Sequence, residues 1–258
     1  MPMIKKEYLV NLAKQGKRTD GRSFTQYRDM SIETHVISKA EGSARVKLGN
    51  TQVIAGIKMV VGEPYPDTPD TGVLTTAAEL IPMASPDFEA GPPQQDAIEL
   101  ARVVDRGIRE SEVVDVEKLC ITAGEKVWIV FIDIHILDYD GNLFDAASIA
   151  TLAALYTTKV PAKRHELGED YPLPLRDPPI SCTSIKLGDM ILFDPSLDEE
   201  QIADARLTVA TDINGAIRAM QKGLNGSYTR EEIQNIIKAS IDNGKLLREK
   251  LNKIVGIQ

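Results

Sequence analysis

Apolar positions along this chain recur with two different periods, and the periods come in blocks. Near the start, Tyr8, Leu9, Leu12 and Ala13 fall at helical spacing with Gly16 as a stop, which predicts a helix within residues 1–17 packed on the outside. From residue 30 the period shortens to two. Strands are predicted over 31–37, 44–48 and 52–61, the last two joined by a tight turn at Gly49-Asn50. Residues 62–71 carry three prolines and read as a loop, 72–83 as another strand and 84–93 as a second loop. An amphipathic helix follows from Gln95 to Ser111. Residues 128–137 then form the most apolar strand. After the turn 138–142, a helix over 145–159 is Ala and Leu on most sides and therefore interior.

Five prolines between 161 and 179 interrupt both periods. They divide the chain into a leading segment 1–29, a first domain 30–160, a linker 161–180 and a second domain 181–258. In the second domain, strands are expected near 181–185, 190–193 and 206–211. A long final helix is capped by Thr229 and Glu232, with Ile233, Ile236, Ile237, Ile241, Leu247, Leu251 and Ile254 along one face. Strands and helices in segregated runs define an α+β fold of two subdomains.

Composition narrows the function classes. With 43% hydrophobic and 26% charged residues the chain is globular, and its net charge of -8 argues against coating nucleic acid by bulk attraction. Any RNA contact has to be a local basic patch. Aromatics make up only 5%, too few for an open base-stacking platform. No apolar run is long enough for a membrane helix, and Met1 to Lys6 lacks the apolar middle of a signal peptide, so a cytoplasmic protein without membrane contact is expected. Cys120 and Cys182 lack metal-ligand spacing and read as free thiols. His35, His135 and His165 are far apart and read as structural. No catalytic residue, metal ligand or cofactor is assigned.

Three segments carry a family resemblance. Lys17-Arg18-Thr19-Asp20-Gly21-Arg22 resembles the Arg-x-Asp-Gly-Arg opening of RNase PH and of the PH-type exosome subunits. The hairpin from Gly42 to Gly56 is similar to that family's first strand pair. Asp138-Tyr139-Asp140-Gly141-Asn142 resembles its Asp-Gly turn before a buried helix. The resemblance implies the RNase PH fold, related to the second domain of ribosomal protein S5, and a six-membered ring with a central RNA channel. In active members, inorganic phosphate attacks the terminal 3' phosphodiester and releases a nucleoside diphosphate, chemistry that needs cations on the phosphate and carboxylates for a metal or a proton.

At three places the sequence departs from the active pattern. An Arg pair at the start of the helix is replaced by Gln94-Gln95, which cannot neutralise phosphate. In the turn 142–145 the family's Arg position falls on Phe144 or Asp145, neither a cation, and an Asp there would repel the anion. Of an aspartate pair in the second domain, Asp194 stays in register, while the other maps to Gly188 or Asp189; on one strand Asp189 and Asp194 would face opposite ways. The resemblance therefore implies a non-catalytic ring subunit of the archaeal exosome, an RNA 3'-5' degrading complex. Its implied partners are a catalytic RNase-PH-like paralogue in three heterodimers, trimeric RNA-binding cap subunits and single-stranded RNA.

Arg102, Arg106 and Arg109 span an arc of about 60° on their helix. Their bland reading is a solvated face, with Glu99 pairing Arg102 and Asp105 pairing Arg109. The resemblance favours RNA phosphates as partners of Arg102 and Arg106. Asp20 and Arg22 read as a structural turn or ion pair, and Asp138 and Asp140 as strand-terminating residues. Two other enzyme classes are weighed. One is an active phosphorolytic exoribonuclease built on Asp189, Asp194 and the stripe. The other is an S5-like small-molecule kinase, for which no Gly- and Ser-rich phosphate loop is present.

Overall fold

A computed structural model describes residues 3–256. Met1 and Pro2, at the start of the expected first helix, lie outside the described residues, as do Ile257 and Gln258. Helix α1 (Met3–Lys14) ends at Gly16, whose φ of 73° is the left-handed conformation that stops a helix. Leu9 packs with Ile185, Leu187, Leu192 and Ile202, and Tyr8 faces solvent.

The first sheet holds β1 (Met30–Thr34), β2 (Gly42–Leu48), β3 (Thr51–Gly62), β4 (Val73–Leu80), β5 (Cys120–Thr122) and β6 (Lys126–Asp138). Its order is β1-β2-β3-β6-β4, with β5 paired to the start of β6; β4 runs parallel to β6 and the other pairs are antiparallel. The two-residue period is read directly in burial. Val53, Ala55, Ile57 and Met59 on β3 and Val130, Ile132, Ile134 and Ile136 on β6 are buried on one face. β1 stops three residues before the expected end because His35 turns into the left-handed region at φ 57°.

Helix α2 (Gln95–Ser111) packs on β4 and has the expected bounds. Helix α3 (Leu143–Tyr156) starts two residues earlier than expected and ends three earlier. It lies between the two sheets, and every residue from Leu143 to Leu155 is buried, which is why it has no polar side. The 161–180 segment is crossed by a small ladder of β7 (Lys159–Val160) with β8 (Tyr171–Pro172).

The second sheet is β10-β9-β11-β12, all antiparallel, from β9 (Ile180–Leu187), β10 (Met190–Phe193), β11 (Ala205–Thr211) and β12 (Ile217–Gly223). Short helix α4 (Leu197–Glu200) precedes β11, and α5 (Arg230–Val255) packs on β9 and β11 under the expected Thr229/Glu232 capping box. One hydrophobic core runs through α3 from the first sheet to the second.

Neither β12 nor α4 was expected from sequence. β12 is an edge strand whose Ile217 and Met220 are partly exposed among Arg218, Gln221 and Lys222, so it lacks the apolar alternation of a strand with one buried face. α4 has a legible signal in the capping box Ser196/Glu199, but four residues are too few for a periodic pattern.

Candidate functional site

The turn from Asp138 to Asn142 brings the two domains' chemistry together. Gly141 adopts φ 88° and lies against Pro195 and Ser196, where a Cβ would meet the backbone at 2.5 Å. Asn142, itself left-handed at φ 55°, donates its backbone N–H to Glu200 Oε2 at 2.9 Å. Its side-chain Nδ2 donates to Asp145 Oδ2 at 2.9 Å and to Asp194 Oδ1 at 2.8 Å. Asp145 also accepts from Tyr27 Oη, the Thr183 backbone N–H and Thr183 Oγ1, at 2.7 to 2.9 Å. Burial pushes its carboxyl up to about 6 despite these donors, because no cation is among its partners.

This geometry corrects the expectation that Asp145 would repel an anion in the cleft, since its carboxylate points into the interior. Phe144 faces the cleft with Tyr139 and Leu143, together with Arg206, Asp87, Asp96, Glu99 and Glu200 around a volume of about 270 Å³. The Arg206 guanidinium lies 4.2 Å from the Phe144 ring centroid, bonds Glu99 Oε1 at 2.5 Å and approaches Glu200 at 3.9 Å. Four carboxylates thus surround one cation that is already engaged. A carboxylate about 5 Å from an anion repels it by roughly 3 kcal/mol at the effective dielectric of a protein surface. Such a lining disfavours an anion in this cleft. Gln94 and Gln95, at the start of α2, are exposed and bring no charge to offset it.

The second-domain aspartates are not brought together. Asp189 is exposed in the turn between β9 and β10, while Asp194 is buried beyond the other end of β10, five residues or roughly 16 Å of extended chain away. Asp194 accepts from Arg22 Nη1, from the Arg28 backbone, Nε and Nη2, and from Asn142, all within 2.9 Å. Burial alone would raise its carboxyl, but the Arg28 guanidinium holds it below the ordinary range. Asp20 pairs Arg22 at 2.7 Å, the structural ion pair expected from sequence. Arg18 adds a buried pair to Glu199 and bonds the carbonyls of Phe193 and Asp194. Arg28 and Glu199 were not singled out from sequence, and Arg18 and Asn142 were noted only as parts of the Arg-x-Asp-Gly-Arg and Asp-Gly segments; the partners that join them lie far away in the chain. Among the described residues, no three His, Cys, Asp or Glu side chains are placed to hold a metal.

The arginine stripe divides. Arg109 is bound by Asp105 at 2.6 Å and by the Leu74 carbonyl. Arg106 makes one contact, 3.3 Å to Gln221 on β12. The expected Glu99–Arg102 pair is absent because Glu99 turns across to Arg206 instead. Among the described residues Arg102 has no hydrogen-bond or ion-pair partner, and both Arg102 and Arg106 are exposed in an open groove with Ile98, Val103 and Gln221, which Asp96 and Glu99 also line.

These features, a two-sheet fold around a buried helix with an Asp-Gly turn at the cleft, place the chain in a known class. The model of the 3' exoribonuclease family, RNase PH, matches residues 26–161 with its first domain and 177–243 with its second. The chain belongs to this family. A protein of Methanocella arvoryzae named exosome complex component Rrp42 is 56% identical over 251 residues, 97% of this chain and 96% of its own. The Archaeoglobus fulgidus protein of the same name is 54% identical over 97% of each chain. Among solved structures, a chain of the Archaeoglobus fulgidus exosome with RNA bound to the active site superposes with a TM-score of 0.94 at 54% identity, covering 96% of this chain and 97% of that one.

Proposed function

We propose that this chain is a non-catalytic ring subunit of an archaeal exosome that binds single-stranded RNA beside a partner's active site. The carrying observation is the contrast between neighbouring surfaces. The cleft that the Asp-Gly turn borders holds four carboxylates and an engaged arginine, and the helix beside it carries two exposed arginines, Arg102 without a partner among the described residues and Arg106 bonded only to the neutral Gln221. Relatives more than 50% identical across nearly the whole chain bear the name of an exosome component, which supports the assembly. Three heterodimers with a catalytic paralogue form the ring, trimeric RNA-binding subunits cap it, and the complex works in the cytoplasm. No helix among the described residues is long and apolar enough to cross a membrane. The division is made within residues 1–29, 30–160, 161–180 and 181–258, with no cofactor assigned.

In this reading Arg102 and Arg106 contact RNA phosphates, and Arg109 adds charge at the end of the stripe while its hydrogen bonds stay with the protein. The test is RNA affinity of the reconstituted ring in phosphate-free buffer, where phosphorolysis cannot run. R102E/R106E is expected to weaken binding and to reduce the slope of log affinity against log salt by about 0.7 per lost phosphate contact, with ring assembly unchanged. Equal affinity and equal slope would rule out the role.

A further inference from the structure

Arg102 owes its freedom to a residue on another sheet. Glu99 precedes it by three positions on α2, the spacing at which a carboxylate and a guanidinium pair on a helix surface. Yet the Glu99 carboxylate is turned toward Arg206 of β11, at 2.5 Å. The Arg206 guanidinium is held in place on several sides. It lies over the Phe144 ring at 4.2 Å, near Glu200 at 3.9 Å, and against the backbone of Gly223, its partner across the β11–β12 ladder. A Cβ on Gly223 would come within 2.7 Å of Arg206 Nη2, so the guanidinium fills the space that any other residue's side chain would take. Arg206 is mostly buried, with 11% of its side chain exposed against 33% for Glu99, and it is the better-fixed member of the pair.

We infer that Arg206 is a positioning residue for RNA binding: by holding the Glu99 carboxylate in an ion pair, it keeps Arg102 unneutralised for an RNA phosphate. This rests on the RNA role of Arg102 proposed above. The arrangement links the two features of this subunit. The cation that helps fill the acidic cleft also takes up the Glu99 carboxylate, while Asp105, at the same spacing on the other side of Arg102, is engaged by Arg109 and Thr76. Losing Arg206 frees Glu99 to swing back to its i+3 neighbour, and one phosphate contact is lost without any change in Arg102 itself.

The test measures binding of a fluorescein-labelled single-stranded oligoadenylate to the reconstituted ring in phosphate-free buffer over a range of salt. R206M is expected to weaken binding on the order of threefold at low salt and to lower the salt slope by about 0.7. In E99Q/R206M, where no carboxylate remains to turn back, affinity and slope return to the wild-type values. A merely structural Arg206 would show its loss in ring assembly or melting temperature and leave the salt slope of RNA binding unchanged, so the slope is the readout that decides. If R206M fails to assemble, G223A displaces the guanidinium more gently and is expected to give the same loss and the same rescue by E99Q. Unchanged binding in R206M, or a loss that E99Q does not restore, overturns the inference. If instead R102E/R106E has no effect, the RNA role itself is what has failed.

Discussion

Asp145 and Asp194 receive hydrogen bonds from the same Asn142 amide, and their charges are handled in opposite ways. Asp194 has two arginines and titrates low; Asp145 has only neutral donors, and burial lifts its carboxyl to about 6. For Asp145 the folded value lies above the ordinary 3.8, so the native state binds the extra proton. The associated stability is fully present below pH 3.8 and is lost as pH rises through 6, roughly 3 kcal/mol in all. The D145N amide can turn its NH2 to Thr183 Oγ1 and keep its oxygen toward Tyr27, Asn142 and the Thr183 N–H. Thermal melts of D145N and wild type should therefore diverge with pH. Between pH 5 and 7 the variant gains on the order of 5 °C relative to wild type. A melting difference that stays constant over this range would show that Asp145 does not titrate between pH 5 and 7 and would contradict this account.

At the scale of elements, the Asp-Gly turn and the chain opening act as one clasp across the two sheets. Gly141 lies against the backbone of Pro195 and Ser196, and Arg18, Arg22 and Arg28 close on residues 193 to 199 from the other side. G141A adds a methyl where backbone atoms stand 2.5 Å away and forces a side chain into φ 88°. It is expected to cost at least 1 to 3 kcal/mol, read as a lower denaturation midpoint with an unchanged slope. A midpoint equal to wild type would mean that the turn yields freely. This scale also separates what the sequence made legible from what it hid. The bounds of α2 followed from its amphipathic period, and α3's interior position from its lack of a polar side. β12 was hidden because an edge strand need not alternate. The Asp194 clasp and the Glu99–Arg206 pair were hidden because their members lie 166 and 107 residues apart, and local spacing favoured the nearer partner Arg102 for Glu99.

For the whole molecule, a net charge of -8 and a role at RNA are compatible because a local pair of exposed arginines can meet phosphate on an acidic chain. Asp87, Asp96, Glu99 and Glu200 line the cleft, and the adjacent groove, which Asp96 and Glu99 share, keeps Arg102 and Arg106 open to solvent. Family membership was readable from the Asp-Gly segments. The basis of the proposed silence was readable only in part: Gln94 and Gln95 signalled missing cations, but the carboxylates lining the cleft converge from separate elements. The most direct test is phosphate-dependent release of nucleoside diphosphates from single-stranded RNA, measured for this chain alone, for its catalytic paralogue alone and for rings reconstituted with wild-type or R102E/R106E chain. The account predicts no release by this chain alone, strong release by the wild-type ring, and a reduced rate at limiting RNA for the variant ring. Release by this chain alone, or a variant ring as fast as wild type at limiting RNA, would contradict it.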